Sequence, residues 1–109
     1  MERAHGELEK LKERARKVAV AGNREYNGGW HTALDLNNLL TVSELITLAG
    51  IERKESRGAH FRDDYPQKNE GEGRYNIVLR RSESGEAQVR REPVGEIPRE
   101  LKQIIEEMK

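Results

Sequence analysis

Between Glu55 and Pro66 the chain crowds Arg57, His60, Arg62, Asp63, Asp64 and Tyr65 around Gly58. Guanidinium forks and carboxylates at this density support three kinds of chemistry. They can shift one another's pKa values and so act as an acid–base set. The forks can grip a carboxylate or phosphate through paired hydrogen bonds. Or the charges can pair among themselves and tie the end of a helix to a neighbouring domain or subunit, the commonest fate of such clusters. Gly58 supplies a backbone conformation that ends the helix and orients Arg57 and His60.

The other candidates are weaker. His31 and Asp35 lie at i,i+4 spacing, which suits a pair of metal ligands; equally, Asp35 can fix the His31 ring, or both can solvate a helix start. Trp30 can stack on a ligand, but a lone Trp at a helix start is more often a packing anchor. Cysteine is absent, which excludes disulfides, thiolate nucleophiles and iron–sulfur ligation. Gly71-Glu72-Gly73 lacks the third glycine of a dinucleotide fingerprint and opens no helix. Ser43, Ser56, Ser82 and Ser84 have no evident paired base.

Composition narrows the rest. The chain has 109 residues, 34% apolar and 37% charged, enough for one domain with a lean core. Lys plus Arg and Asp plus Glu balance at 20 each, which argues against nucleic acid and anionic membranes as partners. The basic residues of the first segment are interspersed with Glu7, Glu9 and Glu13, the pattern of a solvated face. The apolar-rich region 34–51 is broken by Asp35, Asn37, Asn38 and Glu44, so no transmembrane insertion is expected. The first twenty residues hold no apolar run of the secretory kind, and a cytoplasmic chain is expected.

Three helices and a hairpin must position these groups. Leu8, Leu11, Ala15 and Val18 predict an amphipathic helix over 2–20, with Glu13 and Lys17 paired for about 0.3 kcal/mol and Gly22 left-handed at its end. A second helix runs from Trp30 to about Lys54. Its apolar residues cover so much of the circumference that burial on more than one face is expected, and Gly50 costs it about 1 kcal/mol. Tyr75, Ile77 and Leu79, then Ala87 and Val89, alternate as two strands of a hairpin. After Pro98, Leu101, Ile104, Ile105 and Met108 predict a short amphipathic helix. The fold class is mainly α, a helical bundle with a small β-hairpin: helical core 1–66, loop and hairpin 67–97, last helix 98–109.

Three segments together carry a resemblance: Asn23-Arg24-Glu25-Tyr26-Asn27, Trp30-His31-Thr32-Ala33-Leu34-Asp35-Leu36, and the run from Glu55 to Pro66. The chain resembles the C-terminal helical domain of the flavoprotein subunit of succinate dehydrogenase and fumarate reductase, a family that includes L-aspartate oxidase. Gly28 departs from the Pro found there in many relatives. The resemblance implies an excised part of a larger flavoprotein, with no cofactor in this chain and FAD in the parent's preceding domains. No catalytic residue carries over. It further implies that this domain packs on the FAD-binding and capping domains and lies near the iron–sulfur subunit. Arg57, His60, Arg62, Asp63, Asp64 and Tyr65 then form an interface and packing hub, with Trp30, His31 and Asp35 as a packing anchor. The parent is expected at the cytoplasmic face of a membrane, and the separated domain is expected to self-associate without biological meaning. The alternative is a free-standing module that recognises an acidic peptide or carboxylate through Arg57–Asp64.

Overall fold

The computed structural model describes residues 1–108. Its elements in chain order are α1 (Glu2–Ala15), α2 (Gly28–Glu52), a 3-10 turn (Glu72–Arg74), β1 (Tyr75–Arg81), β2 (Ala87–Pro93) and α3 (Arg99–Glu107). The expected mainly helical architecture with one small hairpin is therefore the one observed.

The first helix is shorter than its apolar spacing suggests. It ends at Ala15, because Val18, the last residue of the stripe, leaves the helix and with Val20 lines a groove along the first turns of α2. Lys17 then lies outside the helix, and Glu13 pairs with Arg16 instead. Gly22 takes the expected positive φ, +93°. The chain turns there and Asn27 starts α2, its side chain accepting from the Trp30 amide at 3.4 Å and donating to the Ala21 carbonyl at 3.0 Å. Across the helix pair, the Lys12 ammonium bridges Glu9 at 3.0 Å and Glu44 at 2.6 Å.

Leu40 is the one buried large apolar side chain among the described residues. α1 and the hairpin cover one side of α2. The opposite stripe, Leu39, Val42 and Ile46, stays 65%, 54% and 66% exposed. Burial on more than one face is thus not achieved among the described residues. Gly50 is helical and buried: a Cβ there would fall 2.7 Å from the Met1 sulfur and terminal carbon, so its helix cost is offset by close packing.

β1 and β2 pair antiparallel, with Tyr75 opposite Pro93, Leu79 opposite Val89 and Arg81 opposite Ala87. Gly85, at φ +91°, closes the turn, its amide bonded to the Ser82 carbonyl at 3.0 Å. Leu79, Ala87 and Val89 are half-buried, and Arg80, Gln88 and Arg90 are exposed. α3 extends away, with Leu101, Ile104 and Ile105 each about half exposed. The radius of gyration, 19.9 Å, is well above the roughly 13 Å of a compact chain of this length. Among the described residues no helix is long and apolar enough to cross a membrane.

Candidate functional site

The segment after α2 is organised by Glu55, whose side chain is 0% exposed. One carboxylate oxygen accepts from Arg53 Nη1 at 2.9 Å and Arg57 Nε at 2.7 Å. The other accepts from the Asn69 amide at 2.8 Å. The hydrogen bond from Arg57 above all, with those from Asn69 and Arg53, outweighs burial and holds the Glu55 pKa at about 2. Arg53 carries the connection onward: it donates to the Glu72 carbonyl at 2.9 Å and the Tyr75 carbonyl at 3.2 Å, with its guanidinium over the Tyr75 ring. Arg57 donates to the Asn69 carbonyl at 3.0 Å. A buried carboxylate thus fastens the helix end, the long loop and the first strand.

Arg62 performs a second task. Its Nη1 donates to the carbonyls of Gly50, Ile51 and Arg53 at 2.7, 2.9 and 3.0 Å. These are oxygens that the last turn of a helix leaves without an intrahelical partner, and a cation there also meets the negative end of the helix dipole. The other edge of the fork grips Asp64 through two bonds, Nε to Oδ1 at 2.9 Å and Nη2 to Oδ2 at 2.6 Å. The Arg62 fork holds the Asp64 carboxyl below its usual range. Arg62 also lies over the Tyr65 ring, 4.8 Å from its centroid. Ser56 completes the corner, its hydroxyl accepting from the Arg62 amide and donating to the Tyr65 carbonyl, each at 2.9 Å.

Gly58 has φ +59° and sits in the two-residue connection between Arg57 and His60, whose backbones exchange hydrogen bonds at 2.8 and 3.0 Å. Gly58 therefore makes the turn that sets Arg57 opposite His60 but does not end the helix as expected: α2 stops at Glu52, capped by Arg53. His60 Nε2 is buried without a hydrogen-bond partner, and its ring edge lies over Gly50. Asp63 is exposed and stands outside the network. His31 and Asp35, both exposed, form no cap: the helix is capped by Asn27, and His31 meets Trp30 edge-on with centroids 5.5 Å apart. Trp30 is half-buried beneath the Arg24 guanidinium, at 5.3 Å.

Two cofactor questions have structural answers. His5, Glu9 and Glu44 bring possible ligand atoms within 4.8 Å of one another, but Lys12 already bridges both carboxylates and supplies the positive charge. The Gly71-Glu72-Gly73 segment does not fit a dinucleotide pyrophosphate. It forms a 3-10 turn leading into a strand, and Gly73 is packed against Arg57, where a Cβ would lie 2.5 Å from Nη2. Gly73→Ala is accordingly expected to push Arg57 off Glu55 and Asn69 and lower the thermal midpoint by about 5 °C, measured by circular dichroism. An unchanged midpoint would show that Arg57 yields without cost.

Sequence reasoning missed Glu55, Arg53 and Asn69 as members of this network. The signal for Glu55 was its place two residues from each of two arginines.

The family described as Fumarate reductase flavoprotein C-term matches residues 1–103. An uncharacterised FAD-dependent oxidoreductase of Methanocaldococcus jannaschii is 39% identical over 75 residues, 67% of this chain and 13% of that protein. The fumarate reductase flavoprotein subunit of Haemophilus influenzae is 32% identical over 95 residues, covering 86% of this chain and 16% of that one. Mycobacterium smegmatis Sdh1, solved in complex with UQ1, superposes with a TM-score of 0.87 at 34% identity, over 96% of this chain and 18% of that chain. The chain therefore spans less than a fifth of each. By matched length, identity and shared fold, it belongs to the C-terminal domain family of succinate dehydrogenase and fumarate reductase flavoprotein subunits.

Proposed function

We propose that this chain is a non-catalytic structural domain that braces the FAD-binding and capping domains of its flavoprotein subunit and helps dock the iron–sulfur subunit. The observation that carries this reading is the internal use of the arginine forks. Arg53 and Arg57 converge on buried Glu55, and Arg62 is taken up by Asp64 and three carbonyls. Such a network fixes a shape; it has no free fork to hold a dicarboxylate. The same fact disfavours the module that binds an acidic peptide through Arg57–Asp64. The parent reaction is the interconversion of succinate and fumarate through FAD, with the flavin held by the rest of the polypeptide. The parent assembly sits at the cytoplasmic face of a membrane through its partner subunits.

The test is flavin content. Purified residues 1–109 and the full flavoprotein that contains them are compared by absorbance near the flavin bands and by succinate oxidation. FAD and turnover are expected with the full protein alone. Stoichiometric flavin on residues 1–109 would overturn the reading.

A further inference from the structure

At the corner after α2 the arginines are spent inside the fold: Arg53 and Arg57 on Glu55, Arg62 on Asp64, and Arg91 on Glu52. The tip of the hairpin is different. The register that sets Arg80 opposite Gln88 and Val78 opposite Arg90 puts Arg80 and Arg90 on one face, as diagonal neighbours. Arg81 ends β1, and its guanidinium folds back over the turn, 3.5 Å from where a Cβ on Gly85 would stand. These three exposed arginines line a depression of about 520 Å³ with Ser82, Ser84 and Gln88, and Glu83 is its sole carboxylate.

The donors of this cluster are only partly engaged. Arg90 donates through Nε and Nη2 to a single atom, Gln88 Oε1, at 3.1 and 2.8 Å. That is the paired grip of a guanidinium on an oxyanion, closed here on a neutral amide oxygen. Arg80 gives one side-chain bond, from Nη2 to Glu92 at 3.1 Å. Arg81 forms no ion pair among the described residues. The frame beneath them is fixed: the Ser82 amide donates to the Glu86 carbonyl at 2.9 Å, and the Glu86 amide donates to the Ser82 hydroxyl at 3.0 Å. The Ser84 hydroxyl lies 2.8 Å from that of Ser82, and its further bond to the Glu86 carboxylate, 3.4 Å long, is readily exchanged for a better acceptor.

We propose that the hairpin tip is a binding site for a phosphate group, gripped by Arg80, Arg81 and Arg90 with the Ser84 hydroxyl as a further donor. Cations gathered at one turn repel one another, and an anion between them turns that repulsion into attraction. The donor number selects phosphate over carboxylate. Three forks and a hydroxyl exceed the roughly four acceptor sites of a carboxylate, whereas a phosphate offers a third terminal oxygen. A bound phosphate displaces Gln88 from Arg90 and so exchanges a neutral bond for a charge-assisted one roughly twice as strong. The even charge of the whole chain does not oppose this, because exposed charges act over only about 8 Å at physiological salt. The phosphate can belong to a soluble ester or to a lipid headgroup. The site is independent of the structural role proposed above, and either reading can fail without the other.

The experiment uses the full flavoprotein that contains residues 1–109, as wild type and with Arg81→Gln, Arg90→Gln and Glu83→Gln. Pyrophosphate binding is measured by titration calorimetry. Flotation is measured in parallel with phosphatidylcholine vesicles, with and without phosphatidylglycerol. Saturable binding is expected in wild type, weakened about tenfold by Arg81→Gln and by Arg90→Gln and tightened about threefold by Glu83→Gln. Thermal midpoint and flavin content are expected to stay unchanged in all three, since the side chains replaced are exposed. Pyrophosphate binding that the arginine variants weaken supports the site with a soluble ester as its ligand. Flotation confined to phosphatidylglycerol vesicles and lost in those variants, without pyrophosphate binding, supports it with a lipid headgroup. Binding in neither arm overturns the proposal, as does binding that the arginine variants leave unchanged. Citrate held by the same arginines as tightly as pyrophosphate overturns phosphate as the ligand class.

Discussion

Replacing Glu55 with Ala is expected to lower the thermal midpoint of the domain by more than 10 °C, or to prevent folding, the largest effect of any single substitution outside the apolar core. Removing this carboxylate leaves Arg53 and Arg57 without their salt-bridge partner and the Asn69 amide unpaired. Breaking a buried ion pair by deleting one partner is far costlier than never having built it. Glu55→Gln separates charge from shape, because it keeps an oxygen for one donor while removing the negative charge; its midpoint is expected between those of wild type and Glu55→Ala.

The same residue governs the acid limb of stability. Its pKa lies at about 2 in the folded chain against an ordinary 4.5. The unfolded state therefore takes up a proton first as the pH falls. The contribution of Glu55 is complete above about pH 5, falls as the pH drops through 4.5, and is gone once the pH passes below 2. Chemical denaturation from pH 6 to pH 2 is expected to show a steep loss of stability in wild type and a shallower one in Glu55→Gln. Parallel curves for the two proteins would remove Glu55 from this role.

The second large effect is expected at Arg62, whose side chain is only 10% exposed. Arg62→Met frees the carbonyls of Gly50, Ile51 and Arg53 at once and releases Asp64. Hydrogen bonds from a charged donor are strong, and their loss here is expected to cost about 3 kcal/mol. The informative readout is local: hydrogen exchange of the last turn of α2 quickens while its first turns stay protected. Arg62→Lys is expected to recover only part of the loss. An ammonium carries the charge, but it cannot grip Asp64 with two parallel bonds while it reaches the helix end. Uniform quickening along all of α2 would mean that Arg62 supports the whole fold rather than its end.

The parts of this structure that were legible in sequence are those written in side-chain periodicity and in glycine. The long helix, the hairpin and the last helix follow from where Leu, Ile and Val recur, and Gly22 and Gly58 take the positive φ that their contexts called for. The end of α1 was not legible, because Val18 continues a helical spacing that the chain uses instead, together with Val20, to roof a groove. The cluster after α2 was visible as a density of charge, but its logic was not. Three of the partners of Arg62 and one of those of Glu55 are backbone groups, which residue types do not advertise. Asp63 shows the converse: it has the right chemistry and the right neighbourhood, yet stands exposed outside the network.

The spans over which the polar lock closes bear on how the domain forms. Arg62 reaches back 9 to 12 residues to its carbonyls, Glu55 reaches forward 14 to Asn69, and the farthest bond of Arg53, to Tyr75, spans 22. Loops of this length close quickly, with little chain entropy lost in each. The corner after α2 can therefore set before α1 docks, as a nucleus whose parts are neighbours on the ribosome's product as well as in space. Such a segment reaches its shape without waiting for distant strands to find it.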